Sequence, residues 1–304
     1  MARYVFGPVP SRRLGRSLGI DVLPRKMCSL DCVYCECGPT ETLTLQRSET
    51  VPTDAVLDEI DAVLSLHPQL DSVTFSGTGE PTLHLHLGRM IQHIHDKHPG
   101  YVVTLLTNGV LFPDPQVRAD AALADRVIPN LDAVSQEVFE AINRPAVEID
   151  NATVIESLVR FRDEFGGELW LEIFIVPGVN DSPQELQLLA EAAVRIRPHR
   201  IQLNSLDRPP AYGGIQVPNA ERWKEIAAFF PGAEILARGT FPIPAAIVSE
   251  YARERILETL RRRPLTFTDI LVQTGLHVHE AQKILQYLLQ EKHIEQQGDF
   301  YRIR

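Results

Sequence analysis

Along the chain, short aliphatic and β-branched runs alternate with stretches whose apolar residues recur at helical spacing. That is the pattern of βα units laid around a parallel sheet. Six runs read as strands, at 19–23, 72–76, 101–107, 127–134, 169–176 and 200–205, and a short apolar run at 233–236 closes the series. Between them, 52–66 carries Val56, Ile60 and Val63 on one face with Thr53 as its candidate cap. Further helices are expected at 85–98, 136–142, 153–165, 182–195 and 220–230. The start at Ser182-Pro183-Gln184-Glu185 is the sharpest, with a capping serine and proline at the first helical position.

The pattern changes after a Pro/Gly-punctuated connector at 238–244. Helices are expected at 249–262, 268–274 and 279–290, the last with Ala281, Ile284, Leu285 and Leu288 inward. A hairpin at 294–303 turns at Gly298-Asp299. Three helices and a wing resemble a winged helix-turn-helix. The chain therefore divides into an α/β domain over 1–240 and a small C-terminal domain over 249–304.

Composition narrows the class. A hydrophobic content of 44% supplies a sizeable core, and a net charge of −10 argues against a broadly basic nucleic-acid binder. From Ser249 onward nine Lys/Arg face eight Asp/Glu, so nucleic acid is possible for the small domain but not favoured by charge; a docking role for peptide or protein fits as well. The most apolar stretch, 169–179, is too short to span a bilayer and contains Glu172. No membrane association and a cytoplasmic location are expected. Five histidines at 84, 86, 93, 95 and 98 hold no i, i+4 pair and read as solvated or half-buried surface. Lysines are few, namely Lys26, Lys97, Lys224, Lys283 and Lys292, and none lies at a predicted strand end.

The chemistry concentrates in Cys28-Ser29-Leu30-Asp31-Cys32-Val33-Tyr34-Cys35. Three thiolates this close on a tight loop can hold three corners of a 4Fe-4S cluster and leave the fourth iron open, as a catalytic metal centre requires. With Cys37 added, a four-cysteine zinc knuckle is the alternative, and a disulfide framework a lesser one.

The CxxxCxxC spacing resembles the signature of the radical S-adenosylmethionine (SAM) superfamily. That resemblance implies a partial (β/α)6 barrel, metal ligation by Cys28, Cys32 and Cys35, SAM on the open iron, and Tyr34 against the adenine. Ser76-Gly77-Thr78-Gly79-Glu80-Pro81 is similar to the family's GGEP motif, with Thr78 replacing its first glycine. By the same resemblance Gly79 and Glu80 meet the methionine amino group. Asn108, Asn130, Asp132 and Glu172 meet ribose or carboxylate, and 176–180 with Asn204 borders adenine. From the residues alone, Asp132 is equally a helix cap.

Arg12, Arg13 and Arg16 sit in a Gly/Pro-rich opening segment and are candidates for holding an anionic substrate group at the barrel mouth. CSLDCVYCE and SGTGEPTL resemble the Fe-S oxidoreductases related to the wybutosine tRNA-modifying enzyme, a likeness covering about the first 240 residues. Only Cys37 remains for a second cluster. The implied reaction is reductive cleavage of SAM to a 5′-deoxyadenosyl radical, with flavodoxin or ferredoxin as electron donor. The residues leave the substrate open among RNA, peptide and small molecule. The other readings are an Fe-S redox-sensing transcription regulator and a glycyl-radical-enzyme activase.

Overall fold

The computed structural model describes residues 4–147, 149–206 and 210–236, together with 252–254, 256–257, 260, 264–274, 276 and 278–304. The chain splits into two compact units, Met1–Phe241 and Pro242–Arg304.

The first unit opens with a hairpin of β1 (Val5–Ser11) and β2 (Gly15–Ile20), followed by two short paired strands, β3 (Met27–Cys28) and β4 (Thr42–Leu43). Then come α1 (Thr53–Leu64), β5 (Ser72–Phe75), α2 (Leu87–Lys97), β6 (Val103–Thr107), α3 (Pro115–Ala121) and β7 (Arg126–Pro129). The unit continues with α4 (Gln136–Asn143), α5 (Asn151–Glu164), β8 (Glu168–Phe174), α6 (Pro183–Ile196), β9 (Arg200–Asn204), α7 (Ala220–Ala227) and β10 (Glu234–Ile235). One open sheet runs β1-β2-β5-β6-β7-β8-β9-β10. Every pairing from β2 to β10 is parallel, and β1 is an antiparallel edge.

Strand residues alternate between two buried faces, as a covered parallel sheet requires. Val73, Phe75, Val103, Leu105, Val127, Leu169, Leu171, Ile173 and Leu203 join one core with Ile60, Ile91, Ile94, Phe161, Leu189 and Ile226 of the helices. The opposite face is partly polar. Ser17, Ser72, Thr74 and Thr104 satisfy one another there through hydroxyl contacts of 2.7 to 2.9 Å. Beside them Leu14, Ile128, Trp170 and Leu106 form a small apolar cluster.

Several expectations need correction. The opening segment read as a loop is β1, and the first parallel strand spans Gly15–Ile20 rather than 19–23. The strand expected over 127–134 ends at Pro129, so Asn130 and Asp132 lie beyond it. Thr53 is the first residue of α1 and not its cap: its amide and hydroxyl both donate to Glu49, at 2.9 and 2.7 Å. The helix α3 carries its own signal, Asp114 capping Gln116 before Pro115 at the first helical position. It falls between the strands expected at 101–107 and 127–134, where no helix is expected.

The second unit contains β11 (Leu265–Thr266), α8 (Phe267–Thr274), α9 (Val278–Gln290), β12 (Ile294–Gln297) and β13 (Phe300–Ile303). β13 lies between β11 and β12, antiparallel to both. Ile270, Ala281, Ile284, Leu285, Leu288 and Ile294 form its core with Ala252, Ile256 and Leu260. The connector at 238–244 and much of the helix expected at 249–262 lie outside the described residues. Among the described residues no helix is long and apolar enough to cross a membrane.

Candidate functional site

Chain topology gathers the chemically distinctive residues at one edge of the sheet. The cysteine loop follows β2, the SGTGEP segment follows β5, Asn108 follows β6, Asn130 and Asp132 follow β7, and Asn204 ends β9. Ligand sites in open α/β sheets lie at these carboxyl ends.

The cysteine loop is fixed by backbone contacts on two sides. Asp31 donates to the Asn143 carbonyl at 3.0 Å and Val33 to the Ile142 carbonyl at 2.9 Å, tying it to the end of α4. On the other side, Thr44 donates to Cys28 and Glu80 to Met27. Gly79 is required by this second contact. A Cβ there would lie 1.8 Å from the Met27 carbonyl oxygen, so only glycine lets the two loops close. Thr78 fits because its hydroxyl donates to the Arg25 carbonyl at 3.1 Å and its amide to Asp21 at 3.0 Å.

Each cluster-motif sulfur meets a side-chain N–H donor from a different part of the chain. Asn108 Nδ2 lies 3.5 Å from Cys28 Sγ, Asn143 Nδ2 lies 3.3 Å from Cys32 Sγ, and Lys26 Nζ lies 2.8 Å from Cys35 Sγ. Two buried carboxylates brace the residues that carry these amides. Glu80 accepts from the Asn108 backbone amide at 2.7 Å, while its other oxygen takes Thr82 and Thr107; the Asn108 side-chain amide itself donates to the Ser29 hydroxyl at 2.9 Å. Asp132 accepts from Asn143 Nδ2 at 2.8 Å, from the Tyr34 hydroxyl at 2.5 Å and from the Phe174 amide at 2.9 Å. Burial pushes both carboxyls above their ordinary range.

These contacts redefine several sequence-predicted residues. Asp132 caps no helix; it locks Tyr34 and Asn143 around Cys32. Glu80 is engaged by four internal donors, on Thr82, Thr107 and Asn108. Tyr34 stacks on Phe174 with ring centroids 3.8 Å apart and planes 9° from parallel. Glu172, inside β8, accepts from Asn204 Nδ2 at 2.8 Å and pairs with Arg13.

The arginine triplet is not together at the strand carboxyl ends. The β1–β2 turn lies at the amino end of β2, where the Arg16 amide donates to Asp71, just ahead of β5. Arg12 donates to the Leu236 carbonyl. Only Arg13 extends along the inner face to Glu172, where burial, and then Arg12, lowers its pKa to about 10.

The thiols differ in character. Burial, reinforced by Glu80, pushes the Cys28 thiol up to about 11, and burial with Asp132 holds Cys32 well above its ordinary value. Cys35 is pulled down to about 5 by a hydrogen bond from Cys37 and by Lys26. Burial alone would lower Lys26, but the Cys35, Cys28 and Cys37 sulfurs outweigh it and hold the ammonium above its usual value. Among the described residues no three His, Cys, Asp or Glu side chains are gathered tightly enough to hold one ion.

Sequence reasoning missed Lys26 and Asn143. Lys26 follows β2 and is 8% exposed, so it belongs to the site although it lies at no predicted strand end. Tyr212 was missed as well: its hydroxyl reaches Asp31 at 2.7 Å and Arg144 stacks over its ring at 4.4 Å, closing the segment after β9 against the cysteine loop.

A family model described as the radical SAM superfamily matches residues 22–190, and the chain belongs to that superfamily. Within it, a UPF0026 protein of Helicobacter pylori strain J99 is 32% identical over 264 residues, covering 86% of this chain and 85% of that one. A Brachyspira hyodysenteriae protein named GTPase Obg is 33% identical over 303 residues, and the chain spans 44% of that relative's length. A radical SAM methyltransferase from Sphaerobacter thermophilus superposes with a TM-score of 0.53 at 20% identity, covering 74% of this chain and 67% of that one. At that identity the likeness establishes the fold.

Proposed function

We propose that this protein is a radical SAM enzyme whose Cys28, Cys32 and Cys35 hold a 4Fe-4S cluster and whose substrate is RNA, a peptide or a small molecule. One observation carries the reading: three thiols at the carboxyl ends of the strands, each met by its own N–H donor, with a buried ammonium beside them. Sulfur ligands of a cluster are stabilised by such donors, and a lone cation suits an anionic cluster. Cys28, Cys32 and Cys35 would hold the cluster, and when bound it would supply the single electron needed for reductive cleavage of SAM and hydrogen abstraction from the substrate.

The residues of this chain bind, orient and exclude water. Glu80 braces the Asn108 backbone, Ser29 orients the Asn108 side-chain amide, and Asp132 holds the Asn143 amide beside Cys32. Leu30, Val33, Tyr34, Phe174, Val176 and Val179 pack in one cluster with Cys28 and Cys32 and limit solvent around them. Gly79, Glu80, Asn108, Asp132, Glu172 and Asn204 are the proposed wall of the SAM pocket. Arg13, held by Glu172, is the proposed substrate contact of the arginine triplet. A flavodoxin or ferredoxin in the cytoplasm is the proposed electron donor, and the second unit is proposed to be a winged-helix docking module.

The test is anaerobic reconstitution with iron and sulfide, then dithionite and SAM. Release of 5′-deoxyadenosine by the wild type and none by Cys32→Ala supports the reading. Equal release by the variant, or a reconstituted protein without a four-iron cluster, overturns it.

A further inference from the structure

Lys26 is a buried cation, 8% exposed, whose Nζ lies 2.8 Å from Cys35 Sγ. The ammonium's hydrogen bond is to a sulfur, that of Cys35. Burying an ammonium is costly unless a counter-charge meets it. Of the three cluster-motif sulfurs, Cys35 is the one the ammonium reaches.

Loading the cluster supplies that counter-charge. Metal binding deprotonates all three thiols. A dicationic iron–sulfur core on three thiolates carries one net negative charge, and two once it accepts an electron. An ammonium beside it stabilises the reduced form more than the oxidised one, because the attraction scales with the product of the charges. Asn108 and Asn143 offer the other two sulfurs neutral donors only, so the effect is asymmetric and centred on Cys35.

We infer that Lys26 is a positioning residue for the cluster, its fixed counter-charge, and sets the reduction potential at which the site accepts its electron. This rests on the radical SAM reading above. Lys26 belongs to the chain segment that delivers Cys28, where its own carbonyl accepts from Glu41 and Thr42 at 2.9 and 3.0 Å, so the ammonium is carried on an anchored loop.

The experiment is an anaerobic potential titration of the reconstituted full chain without SAM, followed by the paramagnetic resonance of the reduced cluster. Lys26→Gln is compared with Lys26→Arg and the wild type, and iron is counted in each. The expected result is a midpoint shifted to more negative potential in Lys26→Gln and close to wild type in Lys26→Arg. If Lys26→Gln fails to retain four irons while Lys26→Arg retains them, the same counter-charge is read through cluster affinity. Equal midpoints for Lys26→Gln and the wild type, or iron loss in both variants alike, overturn the inference. A wild type that assembles no four-iron cluster is a failure of the radical SAM reading itself, and is seen before any variant is compared.

Discussion

The Asn143 amide nitrogen lies 3.3 Å from the Cys32 sulfur although 111 residues of chain separate the two. The same nitrogen donates to Asp132 at 2.8 Å, so both of its hydrogens are used and the amide cannot turn away. α4 ends here because Arg144 takes a left-handed conformation, φ 47°, which turns the chain back beside the cysteine loop.

Asn143→Ala removes this donor and takes one partner from the buried Asp132 carboxylate. Partners that orient metal ligands are worth roughly 10- to 100-fold in metal affinity, so the reconstituted variant should lose iron to a chelator at least about ten-fold faster. Asn143→Asp should be worse, since it sets a carboxylate against Asp132. The measurement is the decay of the cluster's visible absorbance under anaerobic chelation. Decay at the wild-type rate in both variants would show that Asn143 is only packing.

Gly79→Ala tests whether the glycine serves loop closure. A Cβ would meet the Met27 carbonyl, and relief requires the SGTGEP segment to move away from Cys28. Overpacking of this kind costs about 1–3 kcal/mol or more, so a clear drop in melting temperature is expected, together with poor iron incorporation. Gly166→Ala is the control, because a Cβ there meets nothing within 4 Å. A variant at Gly79 as stable and as iron-replete as the control would remove the steric account.

These two residues also mark what was legible in the chain. Gly79 and the cysteines announce themselves by local spacing, as do the strands that deliver them, because hydrophobic period and turn chemistry are short-range signals. Asn143, Lys26 and Arg13 act through contacts made only after the sheet closes. Nothing near Asn143 distinguishes it from an ordinary helix end, and Lys26 sits where a surface charge would be equally at home. The arginine triplet misled for the reverse reason: adjacent in sequence, it is divided by a hairpin turn that sends Arg13 inward, gives Arg12 to the Leu236 carbonyl and ties the Arg16 amide to Asp71.

The empty site should show one reactive thiol. With Cys35 drawn down to about 5 and Cys28 pushed up to about 11, iodoacetamide at neutral pH should label Cys35 first and leave Cys28 and Cys32 untouched until the chain is unfolded. Labelling of Cys35 should stay nearly constant from neutrality down towards pH 5 and fall below it. Lys26→Gln should move that fall to higher pH. Peptide mapping by mass spectrometry reads the sites; uniform labelling of all four cysteines would contradict the assigned environments.

His84 ties fold stability to pH. Expected on the surface, it is buried, with 0% exposure. Its Nε2 donates to the Val51 carbonyl at 3.0 Å, and its Nδ1 accepts from the His86 amide at 3.1 Å, which fixes the neutral ring. Burial holds its pKa below the ordinary 6.5. The sign follows from linkage. Above 6.5 the ring is neutral folded or unfolded and the stability is complete. As pH falls from 6.5 through the lowered folded value, the unfolded chain takes up a proton that the folded one refuses, and stability is lost. Glutamine can present one donor and one acceptor at the same place without titrating. The drop in melting temperature between pH 7 and pH 5.5 should therefore be smaller in His84→Gln than in the wild type, whatever the variant's absolute stability, and equal drops would assign the pH dependence to other groups.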